Sequence, residues 1–333
     1  MNRAAWILLS AGAALFVGLL AWQGFGPVSA TLFAAGWGLV LVAAFHVLPL
    51  VLDAAAISVL FGHDEDVTAR DALYARWAGE SVNSLLPAGQ IGGPVMMVRQ
   101  LTQRGMRMRR AAAAITVSTT LQALAQIVFA VLGLVLFGAY AAHDTPSDLR
   151  LAASVATAVL AALIVLFWLA QRRGLFGRLL RFASKVFGKR DWSVLMTRAD
   201  AVDVAVQALY RQRRAVLASF ALSLAGWIVG TAEVWLALYF LGYPVSWVDA
   251  LLLESVGQAI RGAAFAIPGS LGIQEGGYLL LAPLVGLPPD AALALSLAKR
   301  AREMLLGVPG LLYLHLSERN WQRRRAMRLP ATD

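Results

Sequence analysis

Ionisable and amide side chains occur inside three stretches that are otherwise apolar enough to lie in a membrane. One charge at the centre of a bilayer costs roughly 2.5 to 3.5 kcal/mol, so such side chains usually face a partner or a polar cavity. We therefore predict that these residues form one polar site that binds a substrate. They are Arg76, Glu80, Asn83 and Gln90 at the first stretch, Glu254, Gln258, Arg261, Gln274 and Glu275 in the second, and Lys299, Arg300, Arg302 and Glu303 in the third.

The third stretch places three cations within four positions, beside the single carboxylate of Glu303. This excess predicts a positive site within the membrane, which suits phosphate or another anionic headgroup, because guanidinium groups bind such oxygens in bidentate fashion. The three glutamates of the first two stretches would bind a cationic or hydroxyl-rich part of the same ligand, or a coupling proton. The alternative is that all these groups only form hydrogen bonds and ion pairs between helices.

Other chemistries lack their residues. The sequence has no phosphate-binding loop, zinc-protease motif or nucleophile elbow of the usual spacing, so we predict no enzyme activity, no cofactor and no metal. The absence of cysteine excludes disulfides and thiolate chemistry. The histidines are scattered, and we interpret two of them, His46 and His315, as packing or interfacial residues.

The composition identifies an integral membrane protein. Of 333 residues, 59% are hydrophobic and 14% charged, and the mean hydropathy is +0.67. A spanning helix needs about 20 mostly apolar residues, and about six stretches qualify, which predicts an all-α polytopic fold in one transmembrane domain, 1–333. The predicted spans are 4–22, 28–52, 111–140, 151–170, 215–241 and 289–316.

The basic residues, which give a net charge of +10, cluster in short polar stretches rather than on one surface, so we predict no nucleic-acid partner. The connectors 23–27, 141–149 and 242–249 contain no Lys or Arg. By the positive-inside rule both termini are cytoplasmic, in a bacterial inner membrane. The basic, amphipathic segment 172–214 would bind anionic headgroups at the cytoplasmic face, or would serve topology alone.

These orientations leave two broken apolar stretches, 77–101 and 250–288, each beginning and ending on one side of the membrane. We predict two oppositely oriented re-entrant hairpins within an inverted repeat, 28–140 and 215–316. The alternative is two kinked helices in each region. The predicted helix-break residues are Pro87, Gly89, Gly92 and Gly93 in the first hairpin, and Pro268, Gly269, Gly272, Gly276 and Gly277 in the second.

Three motifs carry a resemblance: "GESVNSLLPAGQIGG" (79–93), "FAIPGSLGIQEGGY" (265–278) and "LAKRARE" (297–303). With them the chain resembles the lysylphosphatidylglycerol synthase transmembrane-region family, and most of all its hopanoid-biosynthesis-associated branch. In the namesake enzymes this membrane part is implicated in flipping an aminoacylated lipid that a separate soluble domain makes. The resemblance implies lipid handling without lipid synthesis. The motif residues that it covers are Pro87, Gly89, Pro268, Gly269, Gln274, Glu275, Gly276, Gly277, Arg300 and Glu303.

The residues and the resemblance together predict a lipid flippase with a polar cavity near the midplane of the membrane. Its substrate would be a polar-headed lipid of anionic, glycosylated or hopanoid type. The alternative is an accessory or intramembrane enzyme subunit that binds a lipid and presents it to a lipid-modifying partner enzyme. Either function is compatible with a homo-oligomer.

Overall fold

The structure is a computed structural model that describes residues 35–61, 66–86, 89–140, 193–263 and 270–328, and isolated positions among 30–33 and 155–178. These residues form helices and no strands, which confirms the all-α prediction for this part of the chain. The helices are α1 (Gly38–Phe45), α2 (Val47–Ser58), α3 (Ala69–Leu85), α4 (Gly89–Gln103), α5 (Met108–Tyr140), α6 (Ser193–Arg211), α7 (Arg213–Phe240), α8 (Trp247–Ala263), α9 (Ile273–Leu281) and α10 (Pro289–Arg328), with a short 3₁₀ helix at Ala282–Val285.

Three helical segments among the described residues are long and apolar enough to cross a membrane. They are Gly38–Ser58, Met108–Gly133 and Arg213–Phe240, and they overlap the predicted spans 28–52, 111–140 and 215–241. The predicted span 289–316 lies in α10, where Lys299, Arg300, Arg302 and Glu303 interrupt the apolar sequence. The membrane character is therefore confirmed, whereas a total of six spans stays a prediction.

Several predicted features lie outside the described residues. They are the span 4–22, the connectors 23–27 and 141–149, most of the span 151–170, nearly all of 172–192, and the break residues Pro87, Pro268 and Gly269. The described end of the basic segment, α6, packs against α5, and its Val206 is fully buried there.

The junction of α1 and α2 places a histidine in the first apolar segment. Pro49 has no amide hydrogen and so cannot bond to the carbonyl of Phe45, four residues earlier. The helix breaks at this point, and His46 occupies the single residue between α1 and α2 with near-helical dihedrals. Its side chain is thereby held by two helix ends, deep within Gly38–Ser58.

The first hairpin consists of α3 and α4, which pack antiparallel. Thr68 and Asp71 form a reciprocal capping box at the start of α3. Across the hairpin, the Gly93 amide donates to Asn83 Oδ1 at 2.7 Å. A Cβ on Gly79 would lie 2.6 Å from Met97 Cγ and 3.1 Å from the Gly93 carbonyl oxygen, so Gly79 permits close packing of the two limbs.

The second hairpin consists of α8 and α9, which also pack antiparallel. A Cβ on Gly277 would lie 3.8 Å from Ile260 Cβ, and one on Gly257 would lie 3.2 Å from the Tyr278 ring. Gly272 precedes α9 with φ +78°, a conformation that strongly favours glycine. The Gly272 amide donates to Glu275 Oε2 at 2.7 Å, so Glu275 fixes the turn into α9.

The prediction of helix-break residues is corrected in part. Gly92 and Gly93 lie inside α4, and Gly276 and Gly277 lie inside α9. A helix accepts glycine at a cost of roughly 1 kcal/mol, so clustered glycines mark close packing as well as breaks. Gly89 begins α4 and Gly272 precedes α9, which leaves these two at the ends of the breaks.

Two apolar clusters occupy the two ends of the described helices. One contains residues of α2, α3, α4, α5 and α6, among them Leu101, Ile115 and Val206. The other joins α1, α7, α8, α9 and α10 and includes Leu238 and Leu295. Charged residues of α2, α3, α7, α8, α9 and α10 are paired between them, and this layer contains most of the predicted site.

Candidate functional site

The charged turn of α10, residues 299–303, is the centre of the site. Lys299 Nζ donates to Glu254 Oε2 of α8 at 2.5 Å, and the two side chains are only 1% and 5% exposed. Gln258, one turn further along α8, donates to Glu254 Oε1 at 2.8 Å. The buried lysine is thus neutralised by a carboxylate that is itself held by a second polar group.

A second group of contacts ties α10 to the second hairpin. Arg300 Nε lies 3.2 Å from Glu275 Oε1, and Arg261 Nη2 lies 2.7 Å from Glu303 Oε1. Gln274 donates to the Ser296 hydroxyl at 3.0 Å, and that hydroxyl donates to Glu275 at 3.0 Å. The residues of the "IQEGG" motif therefore bind α10 directly through Gln274 and Glu275.

A third group ties α10 to the first hairpin and to α7. Arg302 Nε donates to Glu233 Oε1 of α7 at 3.1 Å, and Arg302 Nη1 donates to Glu80 Oε1 of α3 at 3.3 Å. His46 lies between the same two carboxylates, with Nδ1 2.6 Å from Glu233 Oε2 and Nε2 2.8 Å from Glu80 Oε1. The ion pairs continue along α3, because Arg76 contacts Glu80 at 3.6 Å and Asp53 at 2.7 Å.

We call these residues together the ion cluster. Its members are the carboxylates of Asp53, Glu80, Glu233, Glu254, Glu275 and Glu303, the cations of Arg76, Arg261, Lys299, Arg300 and Arg302, and His46. With His46 protonated, six positive groups face six negative ones.

This balance overturns the prediction of an uncompensated positive site. The sequence shows one carboxylate near the three cations of α10, whereas the fold brings four more from other helices: Glu80, Glu233, Glu254 and Glu275. Lys299 and Glu303, although four residues apart on one helix, pair with α8 residues rather than with each other.

A sequence model described as the lysylphosphatidylglycerol synthase TM region matches residues 8–310, which include both hairpins and the ion cluster. The chain belongs to this family. No curated protein matches the chain significantly. The lysylphosphatidylglycerol synthase TM region is a membrane region related to lipids, so the family supports lipid handling in general terms.

The ion cluster and its hydrogen-bonded neighbours include every predicted site residue of this family member except two. Asn83 lies in the first hairpin and bonds to Gly93 instead. Gln90 lies in α4, and its side chain is not among the described groups.

Sequence reasoning missed three residues that the structure places in the ion cluster: His46, Asp53 and Glu233. Glu233 was detectable, because it is the single charged residue within the predicted span 215–241, where the cost of a buried charge applies as it does elsewhere. The interpretation of His46 as a packing residue is wrong, since both of its ring nitrogens contact carboxylates.

Two small cavities adjoin the ion cluster. One is lined by Asp53, Arg76, Ser118, Gln122 and Ser223 among others. The other is lined by His46, Glu80, Ser84, Arg302 and Leu306 among others. Each has room for about one water molecule, so neither could admit a lipid headgroup in this arrangement. The polar side chains of the described site form hydrogen bonds and ion pairs with one another.

Proposed function

We propose that this protein is a flippase that carries a polar-headed lipid across the bacterial inner membrane, with the ion cluster as the path of the headgroup. The observation that carries the proposal is that both hairpins bind the same turn of one helix. Glu80 of the first hairpin contacts Arg302, while Glu254 and Glu275 of the second contact Lys299 and Arg300. Movement of either hairpin must therefore exchange ion pairs at this turn.

A polar headgroup supplies what such an exchange needs. Separating buried charges without a replacement costs several kcal/mol, because each is left without a partner in a medium of low dielectric constant. Headgroup hydroxyls, phosphates or amines could replace the lost partners while the acyl or isoprenoid tails stay in the hydrocarbon. The two hairpins, opening to opposite faces around a midplane site, would give the alternating access that inverted repeats provide.

The side chains of the ion cluster differ in exposure, which favours some of them as the first contacts of a headgroup. The side chains of Glu80, Arg261 and Arg300 are 23%, 15% and 14% exposed, whereas those of Glu254, Glu275 and Lys299 are at most 5% exposed. We infer that the headgroup first contacts these residues or the similarly exposed Asp53, Arg76 and His46, at 14%, 15% and 14%, which together offer both signs of charge. Because the ion cluster is balanced, a hydroxyl-rich headgroup can enter without adding net charge, and an anionic one must displace a carboxylate.

The proposed substrates are therefore glycosylated, anionic and hopanoid-type lipids, and the proposed place of the chain is the hopanoid-associated branch of its family. The proposed topology has both termini in the cytoplasm and the two hairpins re-entrant from opposite sides. Contacts of Arg99 with Glu318 and of Arg104 with Tyr313 place the basic ends of α4 and α10 together, which supports a shared side for them. The basic segment 172–214 would lie on that side near anionic headgroups.

The test is lipid transfer by the purified protein alone. Liposomes with and without it receive labelled anionic, glycosylated and hopanoid lipids in one leaflet, and transfer to the other leaflet is followed with time. We expect the protein to accelerate one class, and Arg300→Ala to remove that acceleration. Arg99→Ala, which removes a surface arginine outside the ion cluster, is the matched control and should transfer lipid normally.

The opposite result would favour a presenting subunit. If no lipid of the panel crosses faster, while the protein retains one of them through purification and a partner enzyme modifies it, the flippase proposal fails. The ion cluster would then bind a lipid for another protein's active site.

A further inference from the structure

His46 is held between two carboxylates in a geometry that two ring protons satisfy. Its Nδ1 lies 2.6 Å from Glu233 Oε2 and its Nε2 lies 2.8 Å from Glu80 Oε1. A carboxylate oxygen can only accept a hydrogen bond, so both nitrogens must donate. A neutral imidazole carries one N–H and would set a bare nitrogen against one of these carboxylates.

The charge balance of the ion cluster also favours a protonated His46. Among the described members, six carboxylates face five lysine and arginine side chains, namely Arg76, Arg261, Lys299, Arg300 and Arg302. A proton on His46 supplies the sixth positive charge. Its loss would leave one buried negative charge uncompensated, which is costly between two apolar clusters.

The groups that face His46 come from four neighbouring helices. They are Asp53 from α2, Glu80 and Arg76 from α3, Glu233 from α7, and Arg302 and Glu303 from α10. Arg302 Nη1 lies 3.1 Å from His46 Nε2. Arginine can only donate, so it can bond to this nitrogen only when the nitrogen carries no proton.

His46 Nε2 therefore has two alternative partners, and the proton selects between them. With the proton, Nε2 donates to Glu80 and holds the first hairpin. Without it, Nε2 accepts from Arg302 of α10, and its hydrogen bond to Glu80 is lost. The proton thus controls a contact between the first hairpin and the rest of the ion cluster.

One small cavity adjoins this histidine, and a second adjoins its neighbours in the ion cluster. The cavity beside His46 also adjoins Glu80 and Arg302. The cavity beside Asp53 and Arg76 is lined by Ser223, whose buried hydroxyl has no hydrogen-bond partner among the described residues. A buried unpartnered hydroxyl beside a cavity of this size is a position for a water molecule.

We propose that His46 is a proton-binding site whose proton couples to the movement of the first hairpin. In terms of the proposed function, on which the coupling step rests, the proton would be the ion that drives lipid transfer. Proton binding itself is a property of the folded protein and can be measured with no lipid transfer at all.

The first experiment observes the proton directly. The variant His63→Gln, His143→Gln, His315→Gln retains only His46, so its labelled imidazole nitrogens can be observed by ¹⁵N solid-state NMR in lipid bilayers. We expect both nitrogens to be protonated at pH 7. Adding Glu80→Gln should make one nitrogen lose its proton at a lower pH, whereas adding Glu318→Gln, a carboxylate outside the ion cluster, should not. A bare nitrogen at pH 7 in the parent protein would overturn the proposal.

The second experiment tests coupling. In liposomes that transfer lipid, an imposed proton gradient should change the wild-type transfer rate several-fold, and His46→Gln should abolish this response while the exposed His315→Gln keeps it. A transfer rate that does not change with the gradient would overturn the coupling, even if His46 is protonated. A wild-type protein that moves no lipid would instead contradict the proposed function, and the NMR result would stand independently.

Discussion

The two hairpins bind the same turn of α10 by different means. The second contributes Glu254, Gln274 and Glu275, which are all buried, and it meets α10 through ion pairs and a hydroxyl bridge. The first contributes Glu80, which is 23% exposed and shares its oxygen between Arg302 and His46. At the ion cluster the second hairpin is therefore held to α10 by buried contacts, whereas the Glu80 contact of the first hairpin is one that a proton or a ligand can replace. The first hairpin also contacts α10 outside the ion cluster, through Trp77 with the Leu306 carbonyl and Arg99 with Glu318.

The largest expected effect concerns the buried ion pair between the second hairpin and α10. Glu254→Gln removes the carboxylate beside Lys299 and leaves a buried ammonium group without its ion-pair partner, which typically costs about 3 to 5 kcal/mol. We expect a large loss of folded protein and a clear drop in the melting temperature measured by size-exclusion chromatography after heating. Melting close to that of the wild type would show that this pair does not fix the second hairpin to α10.

Glu80→Gln is the matched change in the first hairpin. Glu80 is more exposed and stays close to water, so we expect a smaller destabilisation, on the order of 1 to 2 kcal/mol, together with a strong loss of lipid transfer. The same melting assay and the liposome assay measure the two effects. If Glu80→Gln unfolds the protein as severely as Glu254→Gln, the contrast between the hairpins disappears.

The turn into α9 gives a backbone test of the second hairpin. Gly272→Ala places a Cβ at φ +78°, which should cost about 1 to 2 kcal/mol. Gly276→Ala is the control in the same motif, because it lies inside α9 and an added Cβ would meet open space. It should be neutral or slightly stabilising in the melting assay. Equal losses in both variants would mean that the glycines act through contacts rather than through the turn.

The smallest effect is expected at the exposed end of the first hairpin. The Arg99 side chain donates two hydrogen bonds to Glu318, and this holds the pKa of the Glu318 carboxyl below its usual value of 4.5. A lowered pKa stabilises the fold above pH 4.5, and the contribution fades as the pH falls through the folded-state value. Glu318→Gln should destabilise the protein at pH 7 by less than about 1 kcal/mol, seen as a slight drop in melting temperature, and by less at pH 4. A constant difference at both pH values would contradict an ionic contribution.

The sequence predicted those parts of the fold that depend on local pattern. Apolar length identified the segments Gly38–Ser58, Met108–Gly133 and Arg213–Phe240, because spanning helices are a property of one stretch. The cost of charge in lipid likewise selected most of the ion cluster. Glycine clusters were less informative. The sequence does not distinguish a glycine at a helix break, such as Gly272, from a glycine at a close helix contact, such as Gly93.

Pairing could not be predicted, because it joins residues far apart in the chain. Arg302 meets Glu80 across 222 residues, and His46 meets Glu233 across 187. No local spacing encodes such contacts, which arise only when the helices pack. For that reason the positive charge of α10 appeared uncompensated in the sequence, and His46 appeared to be a packing residue.

We propose that the first hairpin separates from α10 during transport, while the two limbs of the second hairpin stay together. The cysteine-free chain allows each to be locked by one disulfide. A Cβ on Gly310 would lie 3.1 Å from Ser81 Cβ, slightly less than the usual disulfide separation of about 3.5 to 4.5 Å, so Ser81→Cys with Gly310→Cys can join the first hairpin to α10 after a small shift. Ile260→Cys with Gly277→Cys, at 3.8 Å, joins the two limbs of the second hairpin.

The deciding measurement is lipid transfer by both oxidised variants, before and after reduction. We predict that oxidation of the Ser81–Gly310 pair stops transfer and that reduction restores it, while the Ile260–Gly277 pair transfers lipid in both states. Full transfer with the Ser81–Gly310 disulfide closed would contradict this proposal, because the first hairpin would then not need to leave α10.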